Sequence, residues 1–208
     1  MVATLLEIAV IAVVPVSLIL FGVVSVHYRF IILSGVVLVV SGLVYLQGIS
    51  LDQLGVSTDF TPQESIIYAL LTTILFVGLL ILAKLTRSTP VHQWYRHSHF
   101  LGLFILISAA QQFVFQGFIL LKLSMQFPTA LAVVLTGLLF GYLHMIYPRP
   151  FMSFVVTSGA GILFAAVYTY YPNLLLIASA HAVLNFTAVY LGLFSFSDNV
   201  QSSHPRVT

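Results

Sequence analysis

Apolar residues along this chain come in unbroken runs about twenty residues long, separated by short polar breaks. An alternating pattern in ten-residue segments would point to a transmembrane β-barrel, and it is absent. The pattern predicts about seven spanning helices, near 5–26, 30–48, 64–85, 100–121, 129–145, 151–170 and 172–196, with Pro15 as a kink in the first. The breaks between them are a polar connection at 50–63, a loop at 86–98, Pro128 and Pro148-Arg149-Pro150. Trp94 and Tyr95 in the second break suit a headgroup belt. The first run is too long for a signal-peptide core and is followed by no small-residue cleavage site, so it reads as a mature helix. Residues 1–208 therefore read as a single integral membrane domain, an all-α polytopic bundle with a polar tail at 197–208 and no internal repeat.

Composition strengthens this reading: 60% of residues are hydrophobic and only 6% are charged, where soluble chains carry roughly a quarter. The absence of cysteine excludes disulfides and thiolate metal sites. The seven basic residues are scattered, so there is no nucleic-acid footprint. Their positions do predict a topology. With seven spans, Arg29, Lys84, Arg87, Arg96, Arg149 and Arg206 fall on one side, and Lys122 falls on the other with Glu7, Asp52, Asp59 and Glu64. The positive-inside rule then sets the N-terminus outside and the C-terminus in the cytoplasm of a prokaryotic-type inner membrane.

Three polar clusters interrupt the apolar runs. The first is Ser108-Ala-Ala-Gln111-Gln112-Phe-Val-Phe115-Gln116-Gly117, with three carboxamides in six residues. The second is Phe140-Gly-Tyr-Leu-His144 and the third His181-Ala-Val-Leu-Asn185. An unpaired polar group facing lipid costs several kcal/mol, so these side chains are expected to face other helices. On an α-helix, Gln112 and Gln116 share a face, as do His181 and Asn185. The three clusters are expected to converge between the fourth, fifth and seventh helices. One tension stands: at about 1.5 Å per residue, His144 comes out roughly 10 Å nearer the cytoplasm than His181. Gly117 and Gly141 read as close-packing positions, and His27, His92, His97, His99 and His204 lie near helix ends or in loops.

Structurally, the carboxamides serve equally well as interhelical hydrogen-bond glue. Histidines at membrane depth are functional candidates by default. Peptide hydrolysis needs a general base and a group that holds the oxyanion, and glutamine cannot accept the proton. All five acidic residues fall near helix ends or in loops. His144 and His181 are the only candidate metal ligands at this depth, a poor set for catalytic zinc, so no cofactor is expected.

The ordered clusters resemble the CPBP family, the CAAX-protease and bacteriocin-processing (Abi) intramembrane proteases. That family carries E-E-x-x-x-R on one helix, F-x-x-x-H on the next and H-x-x-x-N/D on a later one. The resemblance covers a core at about 98–196 and includes Gly159-Ala-Gly161, Tyr168 and Pro172. It implies that Gln111 stands where the family has its water-activating glutamate, Gln112 at the second glutamate and Gln116 at the arginine. His144, His181 and Asn185 stand at retained catalytic or oxyanion-stabilising positions. All three charged members are thus neutral here. Replacing the carboxylates alone would strand an arginine in the membrane.

The expectation is a pseudoprotease that binds another integral membrane protein, or an accessory subunit of a membrane complex, with the lipid bilayer as its setting. One alternative is an active endopeptidase with a carboxylate-independent mechanism, using His144 or His181 as base. Another is a membrane protein that binds a lipid or small molecule in the polar pocket.

Overall fold

The computed structural model describes residues 1–91, 99–147 and 149–194. Most of the predicted 86–98 loop, with Trp94 and Tyr95, and the 197–208 tail lie outside the described residues. The described chain is a bundle of seven apolar helices: α1 Val2–Leu20, α2 Val26–Leu46, α3 Pro62–Leu85, α4 Gly102–Ser124, α5 Thr129–Ile146, α6 Pro150–Tyr170 and α7 Leu174–Tyr190. The first six are long and apolar enough to cross a membrane, and α7 is shorter.

The boundaries follow local chemistry. α1 stops at Leu20, earlier than its apolar run, because Gly22 takes φ +71° and turns the chain into α2. α3 starts with a full capping box: Thr61 Oγ1 accepts from the Glu64 N–H, and the Glu64 carboxylate accepts from the Thr61 N–H at 2.6 Å. Asn173 caps α7 through the Leu176 N–H. α7 ends at Tyr190, short of the expected 196, and Gly192 at φ +71° supplies the left-handed residue just beyond it.

Two helices contain π-helical turns. In α1 the turn is Ala9–Val13, directly ahead of Pro15. Proline has no N–H and its ring crowds the preceding turn, so the kink expected at Pro15 is accommodated by widening the helix before it. In α4 the π-helical turn is Phe113–Ile119, beginning immediately after Gln112.

Small residues govern the α5–α6 contact. A Cβ on Gly137 would lie 2.6 Å from the Ile162 backbone nitrogen, and one on Gly141 would lie 2.8 Å from the Phe154 carbonyl oxygen. The Gly137-xxx-Gly141 spacing thus lets two backbones meet, as membrane helices require when lipid supplies no hydrophobic drive. Gly117 differs from that expectation. A Cβ there would meet nothing nearer than Leu54 O at 3.6 Å, an ordinary contact.

Charges sort to the two ends of the bundle. At one end Lys122 Nζ lies 3.1 Å from the Glu7 carboxylate, and Gln47 bridges the pair, donating to Glu7 and accepting from Lys122. This joins α1, α2 and α4. The 47–61 connection folds over the same end. Leu54 is fully buried, its carbonyl accepts from the Tyr168 hydroxyl, and the Leu174 N–H donates to Gly55 O at 2.7 Å. Arg29, Lys84, Arg87 and Arg149 sit at the opposite helix ends.

Candidate functional site

The site begins with an antiparallel pairing of α4 and α7. Ser108 and Gln112 are four residues apart on α4, and His181 and Asn185 are four apart on α7. Gln112 Nε2 meets His181 Nδ1 at 2.7 Å, and Asn185 Nδ2 donates to Ser108 Oγ at 3.0 Å. Two side-chain rungs one turn apart therefore lock the helices in register. Ser108 was not singled out in the sequence, although its position one turn before Gln112 was the available signal.

An amide –NH₂ can only donate, so His181 Nδ1 accepts and its proton sits on Nε2. His144 has the opposite tautomer. Its Nδ1–H donates to the Phe140 carbonyl at 2.8 Å, which leaves a lone pair on Nε2.

The two histidines meet across Phe140. Its ring lies 4.8 Å from the His144 ring and 5.3 Å from the His181 ring, centre to centre. Phe164 also packs on His181, at 5.6 Å. The depth difference inferred for His144 does not keep it from the Phe140 ring on which His181 also packs, for a physical reason. His144 ends α5 in a tight 3₁₀ turn, and its bond to Phe140 O folds the ring back one turn toward the N-terminus of the helix. In the sequence Phe140 stands only as the first residue of the Phe140-Gly-Tyr-Leu-His144 motif, yet it is the surface on which both imidazoles rest.

His144, His181 and Asn185 line one cavity of about 340 Å³ between α3, α5, α6 and α7. The remaining wall is almost wholly apolar, from Leu75, Leu79, Phe140, Phe164 and Leu184 among others, with Thr157 as a further polar residue. Gly78, Ile81 and Leu85 of α3 reach both the cavity and the outer surface, so the cavity has a flank at the face where α3 stands beside α6.

The three glutamines separate. Gln112 reaches the cavity only through His181, and none of the three is among its lining residues. Gln111 and Gln116 are buried, with Gln111 Oε1 and both polar atoms of Gln116 sealed from solvent and without a hydrogen-bond partner. Because the π-helical turn starts at Phe113, Gln116 leaves the α-helical register that would stack it on Gln112.

The carboxylates of Glu7 and Glu64 stand elsewhere. Glu7 pairs with Lys122, ten positions beyond Gln112, or about 15 Å along the helix. Glu64 is committed to its capping box. Among the described residues no group of three or more His, Cys, Asp or Glu side chains is placed to hold a metal ion. Two imidazoles and a carboxamide do not fit catalytic zinc, which takes three good protein donors.

Fold and site together define a polytopic membrane bundle built around an intramembrane histidine pair. Residues 92–187 match the family model described as type II CAAX prenyl endopeptidase Rce1-like. No curated protein and no solved structure matches the chain.

Proposed function

We propose that this protein is a non-proteolytic member of the CAAX-protease family that acts by binding. It serves as a partner or accessory subunit of another integral membrane protein and keeps the histidine-lined cavity as a ligand site. The observation that carries this reading is the Gln112–His181 bond. At a position where the resemblance implies a glutamate, a neutral amide is hydrogen-bonded to the histidine, and among the described residues no carboxylate is hydrogen-bonded to the pair. Loss of a positioned general base typically costs a factor of about 10²–10⁴. The outer faces of α2 and α3 supply surface for a partner: Ile31, Leu38, Val39, Ile66, Leu70 and Ile74 are all exposed on the isolated chain. The charge distribution supports an outside N-terminus and a cytoplasmic C-terminus.

The test is purification of the native protein in mild detergent. A stoichiometric membrane-protein partner is expected, with no cleavage of a membrane-peptide library. The triple reversion Gln111→Glu, Gln112→Glu, Gln116→Arg is the matched control, since a single Gln111→Glu change would bury a carboxylate without its cation and keep it protonated. Cleavage by the wild-type protein that His181→Ala abolishes would overturn the reading in favour of a histidine-based peptidase.

A further inference from the structure

We infer that the cleft between α3 and α6 holds one acyl chain of an anionic phospholipid, with the tail in the cavity and the headgroup at the basic end of the bundle. The inference rests on the ligand-site reading above and names the ligand of the same cavity. Three observations carry it. First, the cavity reaches the lipid-facing surface of a spanning helix. Gly78, Ile81 and Leu85 line it and are also exposed on the outer face of α3. α3 packs chiefly on α7, which leaves its α6 side as a cleft. A Cβ on Gly78 would meet no atom within 4 Å, so the space at that point stands open.

Second, the length and wall of the cavity suit a single hydrocarbon chain. From Leu75 to Leu85 its lining along α3 covers about 15 Å at 1.5 Å per residue, half of a hydrocarbon core of roughly 30 Å. The cavity therefore has the depth of one leaflet, on the side of Lys84 and Arg87. A transmembrane helix about 10 Å across does not fit in about 340 Å³. Most of the wall is apolar, and each of its polar residues already has a hydrogen bond: His144 to Phe140 O, His181 to Gln112, Asn185 to Ser108 and Thr157 to Ser153 O. No charged side chain lines the cavity, so a charged headgroup stays outside it.

Third, the charges at the end of the cleft select the headgroup. Lys84 and Arg87 stand where α3 ends, beside the lining residue Leu85, and Arg149 directly precedes Pro150, the first residue of α6. All three are exposed, and among the described residues none of them forms an ion pair. Glu7, Asp52, Asp59 and Glu64 lie at the opposite end of the bundle. Lys and Arg at a membrane surface attract anionic lipid, and their long side chains reach headgroup level while the stems stay on apolar surface. The two helices that wall the cleft thus meet the same membrane surface with basic residues. A lipid of that leaflet can place its tail past Gly78 and Ile81 and keep its phosphate at that surface.

The test uses the full-length protein in phosphatidylcholine nanodiscs and a phosphatidylglycerol probe with a diazirine in one acyl chain. Labelled residues are mapped by mass spectrometry, and competition is measured with phosphatidylglycerol, phosphatidylcholine and oleate. Labels are expected on Leu184 or Ala188, buried wall residues of α7 that lipid on the outer surface does not touch. Phosphatidylglycerol should compete about fivefold better than phosphatidylcholine, and Lys84→Gln/Arg87→Gln should remove that preference. Gly78→Leu fills the mouth of the cleft where a Cβ meets no atom, and it replaces a helix-interior glycine with a stronger helix former. This variant should fold and lose the labels on α7. Labelling confined to outer helix faces overturns the inference, as do α7 labels that survive Gly78→Leu and equal competition by the two phospholipids. Oleate competing as well as phosphatidylglycerol assigns the cleft to a free fatty acid, and α7 labels lost when a co-purified partner is present assign it to that partner; either overturns the inference. Any of these results without peptide cleavage sinks the lipid assignment alone. Peptide cleavage dependent on His181 sinks the reading beneath it.

Discussion

Gln112 on α4 donates its side-chain amide to Nδ1 of His181 on α7 across 2.7 Å, with both residues buried. This single bond fixes the tautomer of His181 and half of the α4–α7 register. Gln112→Leu would leave the buried Nδ1 without a donor, at a cost of about 1–3 kcal/mol. A lower unfolding midpoint in detergent is the expected readout, with Gln112→Asn recovering little because its shorter arm does not span the gap. An unchanged midpoint for Gln112→Leu would show that the bond contributes nothing to stability.

The α5–α6 contact gives a second, sharper comparison. Gly141→Ala forces a methyl group against the Phe154 carbonyl, whereas Gly117→Ala enters ordinary contact distance from Leu54. Overpacking of a tight interface costs about 1–3 kcal/mol. Thermal unfolding of the two variants side by side should separate them, with Gly141→Ala clearly destabilised and Gly117→Ala close to wild type. The reverse order would refute the packing described.

At the Glu7–Lys122 end, removing one partner should do more harm than removing both. Lys122→Met strands a half-buried carboxylate, while Glu7→Gln/Lys122→Met leaves a neutral amide beside Gln47. The double variant is expected to melt above the Lys122→Met single variant. A double-mutant cycle with no coupling energy would mean that the pair is solvated in the membrane and carries no structural weight.

Orientation can be read directly, because the chain has no cysteine and each introduced thiol is the sole label. Thr58→Cys in the 47–61 connection should react with an impermeant maleimide added to intact cells. Thr89→Cys, beyond the other end of α3, should react only after the membrane is opened. The opposite pattern would invert the topology drawn from the basic residues.

The spans, the family motifs and the sorting of charges to opposite helix ends were legible in the sequence. Each is carried by residue type and spacing along one chain: hydrocarbon thickness sets run length, and Arg29, Lys84, Arg87 and Arg149 recur at the same alternate helix ends. Other features were decided only by the tertiary structure. Ser108 acquires its role from Asn185, a residue of α7 that no spacing within α4 reveals. The π-helical turn after Gln112, which separates Gln116 from it, depends on the helices packed around α4, because no residue between Phe113 and Ile119 demands it as Pro15 does in α1. The inferred depth of His144 assumed that a side chain lies level with its Cα, whereas the ring folds back onto Phe140. Most of all, the opposite tautomers of His144 and His181 come from partners on the backbone of α5 and the face of α4. Two imidazoles packed on the one ring of Phe140 are a property of that arrangement, invisible in two histidines written thirty-seven positions apart.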